Sequence, residues 1–244
     1  MALNVQIVDA NTMFGIHPTH RLDMSVECLV REMDRYRITA ALTLSTVGIF
    51  HSHMKGNSIT LEAAKANNRL VPVATVNPGV YFGSAADIQA IRAQGFKIFK
   101  FYPAEQGWAI DSAAFGEVLT QTASSKAPVM VNASRPGEPT AVGRMASGYP
   151  APVILCSVAL DILSEALAVM AKLPNVLLET HELHAPGALK LVADRGGADR
   201  IVFGSGAPRR SIASSLHYIL GSELSDEEKE RILGGNIRRI LEAA

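Results

Sequence analysis

The chain has 244 residues, 48% of them hydrophobic and 19% charged, and its 23 basic and 23 acidic side chains cancel to a formal charge of zero. A chain of this size can bury enough apolar surface to fold without disulfide or metal staples, and the lack of a basic cluster argues against a nucleic-acid partner, whose phosphates must be neutralised along one face. Cys28 and Cys156 make neither a disulfide framework nor a C-x-x-C motif, which fits a reducing cytoplasm, and without a basic leader or a long apolar run neither secretion nor membrane insertion is expected.

Short β-branched apolar runs alternate with helical patterns along the whole chain, the signature of βαβ units on a parallel sheet. The first strand, VQIVDA at 5–10, leads to a helix at 25–36 that opens on Ser25 as N-cap with Glu27 in its first turn. A second strand at 40–45 is followed by a helix at 59–67 capped by Asn57 or Ser58. Strands at 70–77 and 96–102 flank a helix at 86–94 that stops at Gly95, and a helix at 113–125 precedes the fifth strand at 128–132. The segment 138–149 carries two glycines and a proline and is the weakest helical pattern. Strands at 152–157, 175–180 and 200–205 then alternate with helices at 162–173 and 187–195. Beyond them lie helical segments at 211–220 and 224–244, where Ser225 with Glu228 forms a capping box, Gly234 and Gly235 end that helix and Asn236 caps a last one. Eight strands close a barrel, so the expected fold is a (β/α)8 TIM barrel, one domain over 1–244 with extra C-terminal helices. A doubly wound open sheet is the alternative, but Asp9-Ala10-Asn11-Thr12 stands where its glycine-rich phosphate loop belongs.

The segments GADRIVFGSGAP (197–208) and LSDEEKERILGGNIRRIL (224–241) carry a likeness that VDANTMFG (8–15), RLVPVATVNP (69–78), GFKIFKFYP (95–103) and APVMVNAS (127–134) extend in the same strand order. Together they resemble the amidohydrolase-related branch of the metal-dependent hydrolase superfamily, which includes a decarboxylase of aminocarboxymuconate type and a pyrone-dicarboxylate lactonase. The resemblance implies a barrel acting on a small carboxylated substrate. Members with metal carry Asp-x-His-x-His on the first strand, a His after the fifth and sixth strands and an Asp after the eighth. Here Asp9 is kept, but Asn11 and Met13 stand for the two histidines, Asn132 and Ser157 for the next two, and Gly206 for the last Asp. One carboxylate among amide, thioether and hydroxyl groups holds such an ion poorly, so the usual metal site is expected to be absent and no cofactor is expected.

In such a barrel the chemistry sits at the C-terminal strand ends, which here carry Asp9, Asn11, Ser45, Asn77, Lys100, Tyr102, Asn132, Ser157, Glu179, His181 and Ser205. Lys100 with Tyr102, and Asp9 with Asn11, are two apart on a strand and so share a side. A buried lysine calls for a partner such as Asp9 or Glu179, and a structural ion pair stands beside a functional role. Functionally, Lys100 would anchor a substrate carboxylate or stabilise an oxyanion with Tyr102, Asn11 and Asn132; Schiff-base chemistry at Lys100 is the alternative. His181 and His184 are the general-base candidates, with loop histidines bonded to backbone as the plainer account. His51 with His53 has the look of a metal pair without further ligands close by, and His17 and His20 carry less. Gly204-Ser205-Gly206 falls one residue short of a nucleophile elbow; its tight turn would instead bring backbone N–H groups to an anion beside Arg209 or Arg210. Trp108 is either a wall of the mouth or loop packing.

Two functions follow. The first is a metal-independent hydrolase or lyase, lactonase- or decarboxylase-like, using Asp9, Lys100 and His181 for chemistry and Asn11, Tyr102, Asn132, Ser157, Glu179, Ser205 and Arg209 for a small carboxylate. The second is a non-catalytic barrel that binds a small molecule or a protein. No sequence feature fixes a surface for homo-oligomer formation.

Overall fold

The computed structural model describes residues 5–19 and 21–244, so His20 lies outside the described residues. Eight parallel strands follow one another in chain order: β1 (Ile7–Phe14), β2 (Ile38–Ser45), β3 (Leu70–Ala74), β4 (Ile98–Phe101), β5 (Val129–Asn132), β6 (Val153–Cys156), β7 (Val176–Glu179) and β8 (Ile201–Val202). The sheet curls until β1 meets the β8 end of the chain. Ala10 N donates to Phe203 O at 2.8 Å, Gly206 N to Asn11 O at 2.8 Å and Met13 N to Ala207 O at 2.9 Å. The helices between strands are α1 (Val26–Arg35), α2 (Thr46–Phe50), α3 (His53–Ala66), α4 (Ala85–Ala93), α5 (Pro103–Gln106), α6 (Ala113–Ser124), α7 (Glu138–Ala146), α8 (Leu160–Lys172) and α9 (Ala188–Gly196). After β8 come α10 (Ile212–Leu220), α11 (Asp226–Glu230) and α12 (Asn236–Glu242). This is the expected (β/α)8 barrel.

Alternation along each strand makes two cores. On β4, Phe99 and Phe101 face the helices, whereas Ile98, with Tyr102 just beyond the strand, packs inside the barrel with Val8, Leu42, Val73, Met130, Ile154 and Val202. Lys100 shares the inward side, which sends its ammonium up toward the strand ends.

Three boundaries differ from the sequence pattern for identifiable reasons. β1 runs four residues past Ala10 because the barrel satisfies the polar side chains that read as a loop; Thr12 Oγ1, for example, donates to Leu42 O at 2.8 Å. Helix α3 starts at His53 under an N-cap from Ser52, while Asn57 lies inside it and clamps Thr75, donating to its carbonyl and accepting from its N–H at 3.0 Å each. Gly234 and Gly235 do not stop the C-terminal helix. Residues Arg231–Gly235 form a π-helical turn that passes straight into α12, and Asn236 is no cap: its buried amide donates to Ala198 O and Ile201 O. The reason lies in packing. A side chain on Gly234 would run into the Gln6 carbonyl beside β1, so glycine is there for close approach. Gly234→Ala is therefore expected to cost on the order of 1–3 kcal/mol in urea denaturation. Gly235→Ala, whose new methyl meets nothing nearer than 3.6 Å, should be neutral, and equal losses in both variants would contradict this account.

Candidate functional site

The strand ends deliver a connected polar group to one place. Asn11 of β1, Lys100 of β4, and Glu179 and His181 from the end of β7 form its centre. Lys100 Nζ lies 2.5 Å from Asn11 Oδ1, which orients the amide so that its Nδ2 donates to Glu179 Oε2 at 3.0 Å. The Glu179 carboxylate also holds His181 twice, accepting from its backbone N–H at 2.7 Å and meeting ring Nδ1 at 2.5 Å. Asn11 Nδ2 lies 3.0 Å from the same ring nitrogen, and ring Nε2 lies 3.6 Å from Glu182 Oε1. Burial alone would raise the Glu179 carboxyl, but the charge and hydrogen bonds of His181, with Lys100 behind, hold it below the ordinary glutamate value.

Close approach is built into the backbone here as well. A Cβ on Gly204 would collide with the Glu179 carboxylate and with Asn11 Cβ, so the bare glycine makes the room in which Glu179 sits.

Asp9 lies beside this group but is turned to the seam of the barrel. Oδ1 accepts from the backbone N–H of Asn11 and of Ser205 at 3.0 Å each, and Oδ2 accepts from Ser205 Oγ at 2.5 Å. Burial raises its pKa to about 7 against the pull of those hydrogen bonds, with the Glu179 charge adding to the rise. Ser205 Oγ in turn accepts from Ala207 N at 3.0 Å. The glycine-rich turn thus spends its N–H groups internally: Gly204 N goes to Thr180 Oγ1, Ser205 N to Asp9 and Gly206 N to Asn11 O. They are not free for a ligand anion, contrary to the reading from sequence.

Asn11, Lys100, Tyr102, Asn132, His181 and Arg209 share the wall of one cavity of about 20 Å3, room for about one water. Asp9, Ser157, Glu179 and Ser205 are not in that wall. Among the described residues, three buried polar atoms of the wall lack hydrogen-bond partners: Tyr102 Oη, Asn132 Oδ1 and Arg209 Nε. The Tyr102 ring lies 5.1 Å from Lys100 Nζ, a cation–π contact. Lys100 thus takes Asn11 as its partner, with Glu179 one hydrogen bond away, where the sequence suggested Asp9 or Glu179. Sequence reasoning missed Glu105, which accepts from Asn132 Nδ2 at 3.3 Å, and the cover formed by Ile49, Phe50 and His17. Glu105 follows the fourth strand within three residues of Tyr102, a position that the strand-end rule extended by one turn would have reached.

The remaining candidates lie elsewhere. His51 is exposed, His53 stacks edge to face on Tyr81 in a side groove between α3 and α4, and His184 stacks on Tyr218. Trp108 packs on Phe115 and donates to Gln106 Oε1 at 3.0 Å, outside the mouth cavity. Among the described residues no three His, Cys, Asp or Glu side chains converge as a metal-holding group, and no helix is long and apolar enough to cross a membrane.

Eight parallel strands with a polar cluster at their C-terminal ends define a barrel of the enzyme-bearing (β/α)8 class. The chain belongs to the amidohydrolase family, whose family model matches residues 39–243. Solved structures with the same fold include 5-carboxyvanillate decarboxylase of Novosphingobium aromaticivorans, complexed with manganese and 4-hydroxy-3-methoxy-5-nitrobenzoic acid (15% identity, 99% of this chain and 97% of that one, TM-score 0.78). A probable 2-pyrone-4,6-dicarboxylic acid hydrolase of Acinetobacter baumannii with citric acid bound (14%, 97% and 99%, 0.75) and 2,6-dihydroxybenzoate decarboxylase of Rhizobium (14%, 98% and 99%, 0.75) are similar too. At these identities the likeness is one of fold. A search of curated protein sequences gave no match.

Proposed function

We propose that the chain is a hydrolase or lyase that works on a small carboxylated substrate at the barrel mouth without a metal ion. The observation that carries this reading is the Glu179–His181 pair: a buried, ionised carboxylate meets ring Nδ1 of an imidazole in the wall of the cavity, an arrangement in which Nε2 would serve as the base. His181 would take the proton of a water attacking a lactone carbonyl, or carry the proton exchanged at carbon when a carboxylate leaves. Lys100 and Arg209 supply positive charge for the substrate carboxylate. Tyr102 Oη, buried without a partner, would donate to one of its oxygens, and Asn132 Oδ1 would accept from a substrate hydroxyl or from the attacking water. Asp9 and Ser205 position the β1–β8 seam, and Glu179 positions His181. Phe50 and His17, edge to face at 4.9 Å, cover the mouth and would have to move to admit a ring-sized substrate.

Manganese in the Novosphingobium decarboxylase makes the donor set here a point to test. Both oxygens of Asp9 are engaged by Ser205 and Asn11, those of Glu179 by His181 and Asn11, and the group contains an ammonium. These donors do not fit a divalent ion.

Turnover of carboxylated phenols and pyrone lactones in the presence of EDTA tests the reading. His181→Gln is expected to lower kcat/KM by roughly 10²-fold or more with the circular dichroism unchanged. Undiminished turnover in that variant would remove His181 from the chemistry. The closed mouth favours one other reading, a barrel that binds a small ligand and does nothing to it, marked by calorimetric binding with no turnover of any substrate.

A further inference from the structure

We propose that the ammonium of Lys100 is the resident cation of the barrel mouth and keeps divalent metal ions out of it; this rests on reading the mouth as the active site. β4 carries Nζ among the strand ends, where Lys100 is 2% exposed and contacts Asn11 Oδ1 at 2.5 Å. The same amide donates to Glu179 Oε2, so one side chain couples the ammonium to the carboxylate–imidazole pair. The Tyr102 ring, 5.1 Å from Nζ, offers an electron-rich surface beside it. An amide oxygen, an aromatic ring and a carboxylate one hydrogen bond away suit a monovalent ammonium. They are weak ligands for a free divalent ion.

Two neighbours sharpen the point. Cys156, wholly buried near Lys100 and Glu179, has its thiol pushed up by burial and so stays protonated, supplying no soft anionic ligand while the site is intact. Asp9 is engaged across the seam by Ser205. A divalent ion approaching Asn11 Oδ1 would share a cavity of about 20 Å3 with a like charge. Without the ammonium the repulsion is gone and Asn11 Oδ1 loses its partner, which opens an amide oxygen beside the Glu179–His181 pair to an ion.

The test is a titration of Mn²⁺ alone into wild-type and Lys100→Met proteins, followed by the His181 ring signals in NMR and assigned by their loss in His181→Gln. The wild-type signals are expected to keep their width at equimolar Mn²⁺, and those of Lys100→Met to broaden away. Broadening in the wild type overturns the proposal, because an ion then enters beside the ammonium. Sharp His181 signals in a folded Lys100→Met protein overturn it too, because the ammonium is then not what excludes the ion. Should the methionine variant fail to fold, Lys100→Gln, neutral and still able to meet Asn11, takes its place. Binding of 4-hydroxy-3-methoxy-5-nitrobenzoate to the wild type in EDTA is measured separately: its absence counts against the carboxylated substrate and leaves the Mn²⁺ result as it stands.

Discussion

Glu179→Gln is expected to destabilise the barrel by roughly 3–5 kcal/mol, measured as a lower midpoint in chemical denaturation, because removing one member of a buried charge network strands the others. The glutamine amide would replace a carboxylate that Asn11 Nδ2 donates to and His181 Nδ1 meets at Oε2, and would bring an N–H donor into the group. Lys100, its ammonium one hydrogen bond away, would lose the nearby negative charge. The dependence on pH identifies the cause. Folding lowers the Glu179 pKa, so its contribution is present above the ordinary glutamate value of 4.5 and disappears as pH falls through the lower folded value. The gap between wild type and variant should hold at neutral pH and narrow only in acid. A loss below about 1 kcal/mol would mean that the network is worth no more than a surface pair.

Asp9→Asn is expected to act in the opposite direction. Folding raises this carboxyl from 3.8 to about 7, so the neutral form is the one the native state favours. Wild-type stability from this group is therefore complete below pH 3.8 and is lost as pH rises toward 7. Asparagine keeps the acceptor for the Asn11 and Ser205 N–H groups, and its amide can donate to Ser205 Oγ in place of a carboxyl proton. The variant should match the wild type near pH 4 and be more stable at pH 8 by an amount approaching ~4 kcal/mol, about three pKa units of linkage. Thermal melts of both proteins across that range decide it. A variant less stable than wild type at pH 8 would show that the ionised carboxylate is needed at the seam.

These two carboxylates illustrate what the sequence discloses and what it does not. The barrel is readable because its cores repeat: Ile98, Phe99, Phe101 and Tyr102 alternate between inside and outside, and eight such runs with helices between leave few other architectures. Asn11, Lys100, Tyr102, Asn132, His181 and Arg209 are readable as cavity residues because strand ends converge in any barrel. Roles within the group are not, since they depend on pairings across the whole chain. Asp9 and Ser205 are 196 positions apart, and only the closing of the sheet makes the aspartate a staple at the seam. Phe50 and Ile49 cover the mouth from α2, a five-residue helix too short to leave a periodic pattern.

The seam has a further consequence for how the protein is made. β1 precedes the other seven strands of the barrel in the chain, yet its partners on one side are Phe203 and Ala207, and Phe203 N itself donates to Ile232 O in the π-helical turn. Until the segment around Phe203 and Ala207 has been made, one edge of β1 stands open with Asp9 and Asn11 beside it, as an unpaired template for other strands. β2 to β5 can already be paired once β5 is made, and still β1 has no neighbour on that side. The nascent barrel is therefore most exposed to mispairing at β1, the place where a chaperone that shields bare strand edges would act to greatest effect.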